Sequence, residues 1–507
     1  MKLAIAQINT TVGDLTGNIA RILAAVEQAK KADLIVFPEM TVPGYPPRDM
    51  LYDASFVEAV QAATLDLARQ AKDLPPLLVG SFAPSGEKHY QHPSLHNIAY
   101  LMKNGELTVA QVKQLLPVYD VFYEPRWFTP GKKTLPPIEV AGRKIGVLIC
   151  EDMWDEEYST HPGADLLTMG AEMLVVMSAS PYRKGIQEGR MHHARRQGAP
   201  LVFVNLVGAT DELIFDGGSF VAGETLARFE EEVRVVNWEE REPKQKDVQK
   251  AGSVEEELFN ALSLGMRDFA RKNGLKKACL GLSGGIDSAV AAVIAADALG
   301  KEHVTGVAIP SRFTDPRSTG SARELAANLG IKFEQAELEK MHAVTEQTLG
   351  AERSAGISGE NIQARLRMVI LMSFVNSSGG FLVNTSNKTE LTLGYSTLYG
   401  DMAGAISPLG DVTKDEVMRL AAWINAEKGK VIPGFVIERK PSAELKADQV
   451  DPFDYAVVSP QVEAMVRADQ ANAMMRASEH KRWQMGVVLK VSDRAFGRGR
   501  MVPITRK

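Results

Sequence analysis

The sequence predicts an α/β protein of two domains, the second doubly wound around a parallel sheet. Three observations carry this: 507 residues with 45% apolar content, short apolar runs alternating with helical patterns in both halves, and a charged stretch between them. One hydrophobic core rarely organises so long a chain, and this apolar content is enough for two or three.

In chain order, the first half offers "KLAIAQI", "ADLIVFPEM", "PLLVGSF", "NIAYLM", "KIGVLICED", "AEMLVVMSAS", "PLVFVNLVG" and "GGSFVAG" as strands, with helices expected at 17–30 and 55–72. Strands and helices mixed in this way indicate layers of helix on sheet. From 229 to 257 the chain reads "FEEEVRVVNWEEREPKQKDVQKAGSVEEE", charged and, apart from one short strand-like run, a solvated connector with its boundary near 245. The expected domains are therefore 1–243 and 257–507, joined by a linker at 244–256. The second half continues with a helix at 254–273, the strand "KACLGL", a glycine-rich turn, a helix at 287–299 and the strand "HVTGVAIP". Helices at 318–329 and 359–376, the strand "GFLVNTS" and a helix at 413–427 follow. Such a βαβ series builds a parallel sheet through crossover helices.

A net charge of -5 lacks the basic excess that nucleic acids or anionic membranes demand. No window reaches the roughly eighteen apolar residues of a membrane span. Cys150 and Cys279 are the two cysteines, too few for a disulfide framework, so a reducing, cytoplasmic compartment is expected. His192 and His193 are adjacent, which splays them on a helix and fits no common zinc spacing. The tail "DRAFGRGRMVPITRK" is basic and reads as a segment closing over an anionic substrate.

The turn after "KACLGL" carries the first chemistry. Leu282 leads into Ser283-Gly284-Gly285-Ile286-Asp287-Ser288 and then a helix, so several backbone N–H groups and a helix N-terminus surround one point. Unpaired amides and the helix dipole favour an anion there. A Walker loop would place a lysine in this turn to reach the terminal phosphates, and none is present. Asp287 could cap the helix or hold a magnesium ion. The turn suits a pyrophosphate that leaves intact.

"GLSGGIDSA" resembles the signature of the N-type ATP pyrophosphatases, which adenylate a carboxylate and release pyrophosphate. "ENIQARLRM", "NTSNKTELTLGYSTLYGDMAG" and "PLGDVTKDEV" are similar to the NAD synthetase pattern among them. With the first half included, the resemblance is to the glutamine-dependent NAD synthetases. It implies that Gly281, Leu282, Ser283, Gly284, Gly285, Ile286, Asp287 and Ser288 cradle ATP, with Thr385, Lys414 and Ser442 also touching it. It implies Mg2+ on Asp287 and Glu390, two hard carboxylates suited to that ion. Asn361, Arg365, Glu390 and Lys481 would face deamido-NAD. Arg367 is equally well a substrate contact or part of a solvated helix face.

In the first half, Cys150 ends the strand "KIGVLIC" and is followed by Glu151 and Asp152. Catalytic groups of α/β sheets gather at such strand ends. A free thiol with a pKa of about 8.5 needs a base and a cation to act as a nucleophile at neutral pH. Glu39, ending "LIVFPE", and Lys113, in "QVKQLLPVYDVFYEPRWF", have the right types and locations. Together with "FPEMTVPGYPP" and "GVLICEDMW" these resemble the nitrilase constellation, which implies an α-β-β-α sandwich. The resemblance also implies Glu39 as general base, Cys150 as nucleophile and Lys113 as oxyanion stabiliser. Tyr119, Ser178 and Lys184 match positions that hold glutamine, while Glu124 is either a second acid near the thiol or a salt-bridge partner of Arg126 or Lys113. Cys279, inside a strand, reads as a core thiol.

The expected activity is ATP-dependent adenylation of deamido-NAD and its amidation by ammonia taken from glutamine, in a homo-oligomer. Another glutamine amidotransferase of the same loop family, such as GMP synthetase, is the alternative enzyme. A catalytically silent nucleotide-binding scaffold is the alternative of another class.

Overall fold

The computed structural model describes residues 1–89, 92–221, 224–238, 252–468, 470 and 472–495. Residues 244–251 of the expected linker and 496–507 of the basic tail lie outside the described residues. The chain divides into two compact units, Met1–Thr210 with Ile214–Ala251, and Asp211–Leu213 with Gly252–Lys507.

The first unit runs β1 (Lys2–Gln7), α1 (Leu15–Gln28), β2 (Leu34–Val36), α2 (Ala54–Gln70), β3 (Leu77–His89), β4 (His92–Lys103) and β5 (Glu106–Val112). It continues through β6 (Ile138–Val140), β7 (Arg143–Ile149), α3 (Pro162–Thr168), β8 (Met173–Ser178), α4 (Ile186–Arg196) and β9 (Leu201–Asn205). Short strands close it: β10 (Val207–Thr210), β11 (Leu213–Asp216), β12 (Phe220–Val221), β13 (Glu224–Thr225) and β14 (Glu232–Asn237). The strands make two six-stranded sheets, in the orders β14-β1-β2-β3-β4-β5 and β13-β12-β9-β8-β7-β6.

Alternation along the strands decides how these layers pack. In β8, Met173, Val175 and Met177 point into a core shared with Leu3, Ile5 and Val36 of the other sheet. Leu174 and Val176 point the opposite way and bury Leu166 of α3 and Met191 of α4. A period of two thus gives each sheet one face for the other sheet and one for helices, the α-β-β-α sandwich expected. The helices begin where side chains can take up their free amides: Asp14 accepts from Gly17 N at 2.9 Å, and Asp53 from Ser55 N at 2.9 Å. Among its described residues, "GGSFVAG" places Phe220 and Val221 in a strand.

The second unit opens with α5 (Val254–Lys272), β15 (Ala278–Gly281), α6 (Ile286–Leu299), β16 (Val304–Ala308), α7 (Pro316–Leu329) and β17 (Lys332–Gln335). It continues with α8 (Glu339–Leu349), α9 (Gly356–Ser378), β18 (Phe381–Leu382), α10 (Lys388–Leu393), β19 (Ile406–Ser407) and α11 (Lys414–Glu427). Four strands form an all-parallel sheet in the order β17-β16-β15-β18. The order reverses between β15 and β18, so a crevice opens beyond the C-terminal end of β15, where doubly wound sheets bind ligands. The alanine-rich α6 is buried almost all round, because small side chains let it lie close to sheet and neighbouring helices at once. Cys279 is buried with Val307, Ile370 and Leu382, as a core thiol would be. "GFLVNTS" is a strand over Phe381–Leu382 alone, after which Val383 bridges to Ile406.

Candidate active sites

In the first unit, three strand ends meet. Glu39 follows β2, Lys113 follows β5 at once, and Cys150 follows β7 at once. Glu39 sits in a tight turn against β3: a Cβ on Gly80 would fall 2.3 Å from Met40 N, so only glycine admits that turn. Cys150 has φ +45°, a left-handed conformation that a non-glycine residue holds only when its surroundings enforce it. The chain passes there from strand into a short 3-10 turn over Cys150–Met153.

The side chains form one buried network. Lys113 Nζ donates to Glu39 Oε1 at 2.8 Å and to Glu124 Oε1 and Oε2 at 2.9 and 2.8 Å. Glu39 Oε1 also accepts from Asn97 Nδ2 at 2.7 Å, and its Oε2 from Ala179 N at 3.2 Å. Tyr45 donates its hydroxyl to Glu124 at 2.9 Å. Ser178, at the end of β8, donates to Cys150 Sγ at 3.4 Å. Burial pushes the Cys150 thiol well up, Glu39 adds to that, and Lys113 and Ser178 oppose it. The resting thiol therefore keeps its proton and would need a base beside it to act as a nucleophile. Burial raises Glu124 to about 7 against the pull of Lys113.

Tyr119 and Glu151 stand nearby, joined by a 2.9 Å hydrogen bond, and Tyr158 donates to the other oxygen of Glu151 at 2.9 Å. Lys184 stands in the loop before α4. Sequence reasoning left two readings of Glu124; the geometry pairs it with Lys113, while Arg126 bonds Asp49 instead. It missed Asn97 and Tyr45, which carry no local signal, and the role of Asp152. That carboxylate is fully buried and accepts three backbone N–H groups: Gln114 and Leu115 at 2.9 Å each and Ile149 at 3.2 Å.

In the second unit, the turn after β15 borders a cavity of about 330 Å³. Gly284 has φ +78°, and a Cβ there would lie 2.3 Å from Ser318 O, so the turn presses against α7. Ser288 Oγ donates to Gly285 O at 2.9 Å, and Ser283 Oγ accepts from Gly285 N at 3.2 Å, which folds the loop over the start of α6. No side chain caps α6, leaving its first amides to face the cavity mouth. Asn387 caps α10 through Glu390 N at 3.0 Å and donates to Asp287 at 2.9 Å, tying the two carboxylate-bearing segments together. Lys414 bridges Asp287 and Glu390, with the Glu390 contact at 3.1 Å. Burial lifts Glu390 to about 7, with Asp287 adding and Lys414 opposing.

Family models describe both halves: carbon-nitrogen hydrolase over residues 2–240 and NAD synthase over 258–493. A glutamine-dependent NAD(+) synthetase of Synechocystis sp. is 38% identical, covering 99% of this chain and 98% of its own. That of Thermotoga maritima is 35% identical over 100% and 99%. The chain belongs to the glutamine-dependent NAD(+) synthetases. The solved synthetase of Acinetobacter baumannii in complex with ADP shares 32% identity and a TM-score of 0.80, covering 99% of this chain and 98% of that one. The family membership decides against the GMP synthetase and silent-scaffold alternatives.

In this member of the glutamine-dependent NAD(+) synthetases, the expected nucleotide residues gather at the cavity. Gly281, Leu282, Ser283, Gly285, Ile286, Asp287, Ser288, Thr385, Lys414 and Ser442 line it, as does Glu390; Gly284 lies behind, against α7. Asn361, Arg365 and Lys481 do not line it. They converge instead on the loop 394–401: Thr397 Oγ1 donates to Asn361 at 2.6 Å, Arg365 Nε to Leu398 O at 3.1 Å, and Lys481 Nζ to Ser396 O at 2.6 Å. Tyr395, Gly400 and Asp401 of that loop line the cavity. Arg367 is not on a solvated helix face: it lines the cavity, and its Nε donates to Ile309 O at 3.1 Å. His192 and His193 stand with rings at 88°, and among the described residues no cluster of three metal-ligating side chains occurs. No helix among them is long and apolar enough to cross a membrane.

Proposed function

We propose that the two sites divide glutamine-dependent NAD synthesis between them. Cys150 attacks the glutamine carboxamide while Glu39 takes the thiol proton, and Lys113 offsets the charge on the tetrahedral oxygen. Tyr119, Ser178 and Lys184 hold the glutamine. Ammonia leaves with the proton returned by Glu39, and water then hydrolyses the glutamyl thioester. In the second unit, ATP lies over the loop 281–288 with Thr385, Lys414 and Ser442, and deamido-NAD meets Asn361, Arg365, Glu390 and Lys481. The carboxylate of deamido-NAD displaces pyrophosphate from the α-phosphorus, and ammonia then displaces AMP from the carbonyl carbon.

Asp287 and Glu390 already converge on one cation, the Lys414 ammonium, and two hard carboxylates beside phosphate oxygens fit Mg2+ as well. Bound there, Mg2+ would offset the charge of the phosphates and of the leaving pyrophosphate. The A. baumannii relative was solved in complex with ADP, which supports an adenine nucleotide as a ligand of this chain. The reading extends to a homo-oligomer in a reducing, cytoplasmic setting, consistent with two unpaired thiols. A domain boundary at 244–256 agrees with the division into units near residue 251.

The observation that carries the reading is the buried Glu39–Lys113–Cys150 cluster in the same chain as a serine-glycine loop cavity. The test supplies ATP, magnesium, deamido-NAD and amide-labelled glutamine. Label is expected in the NAD carboxamide, with AMP and pyrophosphate formed one for one. Unlabelled NAD, or ADP in place of AMP, would overturn it.

A further inference from the structure

The cavity in the second unit holds a cation to which the described residues supply no paired anion. Three basic side chains line it: Arg367, Lys414 and Arg439. Lys414 is bracketed by Asp287 and Glu390, and Arg439 pairs with Glu444 at 3.0 Å. Arg367 has no ion pair among the described residues; its one hydrogen bond to the chain runs from Nε to Ile309 O, which leaves the forked end of the guanidinium unengaged.

The two carboxylates closest to it electrostatically are committed elsewhere. Glu444 Oε1 accepts from Ser318 Oγ at 2.8 Å as well as from Arg439, and Asp401 Oδ1 accepts from Thr397 N at 2.6 Å. Burial draws Arg367 down to about 10, and Glu444 and Asp401 only partly oppose that. Taking a guanidinium out of water without a partner is costly, so such a group persists where a partner arrives later. Its neighbour in sequence makes the contrast plain. Arg365 stands two residues earlier on α9, roughly 200° round the helix, and is exposed with its Nε on Leu398 O.

We infer that Arg367 takes its counter-charge from the substrates: its guanidinium holds an oxyanion of the adenylation reaction, either a phosphate of ATP or the carboxylate of deamido-NAD. Each presents a pair of oxygens that a guanidinium fork can grip with two parallel hydrogen bonds, and a guanidinium stays charged throughout the reaction. When the carboxylate oxygen bonds to the α-phosphorus and the bond to pyrophosphate breaks, the electron pair leaves with pyrophosphate. A fixed cation at the cavity wall holds the reacting anions together without taking up or releasing a proton. The inference rests on the reading of this cavity as the ATP site.

The test uses the full chain with saturating ammonium, so that Cys150 plays no part, and compares wild type with Arg367→Met and Arg367→Lys. Arg367→Met is expected to raise the KM of one substrate roughly tenfold or more, in line with a lost charge-assisted hydrogen bond. A rise for ATP assigns the phosphate, and a rise for deamido-NAD assigns the carboxylate. Arg367→Lys, which keeps the charge without the fork, is expected to recover part of the affinity and also answers if the methionine variant fails to fold. Unchanged KM values for both substrates, or a fall in kcat that merely follows a fall in thermal stability, would overturn the inference. Asp287→Asn separates the two levels: undiminished pyrophosphate release in that variant would remove the ATP-site reading itself, whatever Arg367 does.

Discussion

Lys113 Nζ lies 2.8 Å from Glu39 Oε1 and 2.8 Å from Glu124 Oε2, and none of the three side chains is more than 5% exposed. One ammonium therefore answers two buried carboxylates. Replacing Lys113 by Met would leave both carboxylates without a cation. Breaking a buried pair by removing one partner typically costs about 3–5 kcal/mol. Urea unfolding of Lys113→Met should show that loss in the first unit's transition, and adding Glu124→Gln should restore part of it. A variant as stable as wild type would show that the ammonium does not stabilise the folded site.

Asp152 joins the two segments that carry Lys113 and Cys150, because its carboxylate binds the N–H groups of Gln114 and Leu115 on one side and of Ile149 on the other. Burial raises its pKa from 3.8 to about 7, and the three amides only partly offset that. The folded chain then holds a proton that the unfolded chain has released between those values, so stability falls as pH rises through that window. Asp152→Asn cannot titrate, and its amide NH2 must face at least one backbone N–H. The stability profile should flatten by up to about 1.4 kcal/mol per pH unit between pH 4 and 7. Glutamine hydrolysis should fall at least tenfold as Lys113 and Cys150 lose their fixed spacing, with ammonium-driven NAD formation intact. A pH profile identical to wild type would refute the titration.

Much of the architecture and of both sites was readable because strand ends announce themselves. "LIVFPE" and "KIGVLIC" each pass from an apolar run to one chemically active side chain just beyond a strand; Lys113 also follows a strand, β5, but the sequence reading does not offer that one. Asn97 and Tyr45 were invisible: one sits inside β4 and the other in a loop, and only folding brings them to Glu39 and Glu124. Lys332–Gln335 and Glu339–Leu349 were also missed. The first is a short edge strand reading K-F-E-Q, whose period is masked by exposure on both faces. The second is a helix whose Met341 and Val344 face outward, so it lacks the buried stripe by which helices are recognised. Arg367 shows the limit from the other side, since a charge on a helix has the same sequence signature whether it faces solvent or a cavity.

The proposed division of labour has a direct consequence at Cys150. Ser178 and Lys113 favour its thiolate against burial, and on the proposed mechanism Glu39 would take its proton. Cys150→Ala should abolish glutamine-driven NAD formation by at least a thousandfold and leave the rate with saturating ammonium within about twofold of wild type. Glu39→Gln should behave alike, because a buried protonated thiol without a base attacks slowly. Both rates are read by NAD formation with either nitrogen source. Loss of the ammonium-driven rate in a folded Cys150→Ala chain would show that the thiol also serves adenylation.

Lys388 plays in the second unit the part Lys113 plays in the first, at a distance from the chemistry. Its fully buried ammonium meets Asp411 at 3.0 Å and Glu463 at 2.6 Å and donates to Ser492 Oγ at 2.9 Å. Asp411 in turn accepts from the backbone N–H groups of Val491 and Ser492, both at 2.7 Å. Lys388 lies two residues before Glu390 and Asp411 three before Lys414, so this pair fixes the two segments whose side chains meet over Asp287. Burial alone would raise Asp411, but Lys388 and the amides hold it below the ordinary carboxylate range. Its contribution to stability is therefore present at neutral pH and lost as the solution is acidified below that range. Lys388→Met should cost about 3–5 kcal/mol by leaving buried Asp411 without its Lys388 partner. It should lower ammonium-driven NAD formation while glutamine hydrolysis persists. Asp411→Asn in the same chain should recover much of the stability but not the rate, since it removes the stranded charge without restoring the link between Glu390 and Lys414. Denaturant unfolding with both assays run on the three chains decides this, and full recovery of the rate in the double variant would show that the ion pair does not position the cavity.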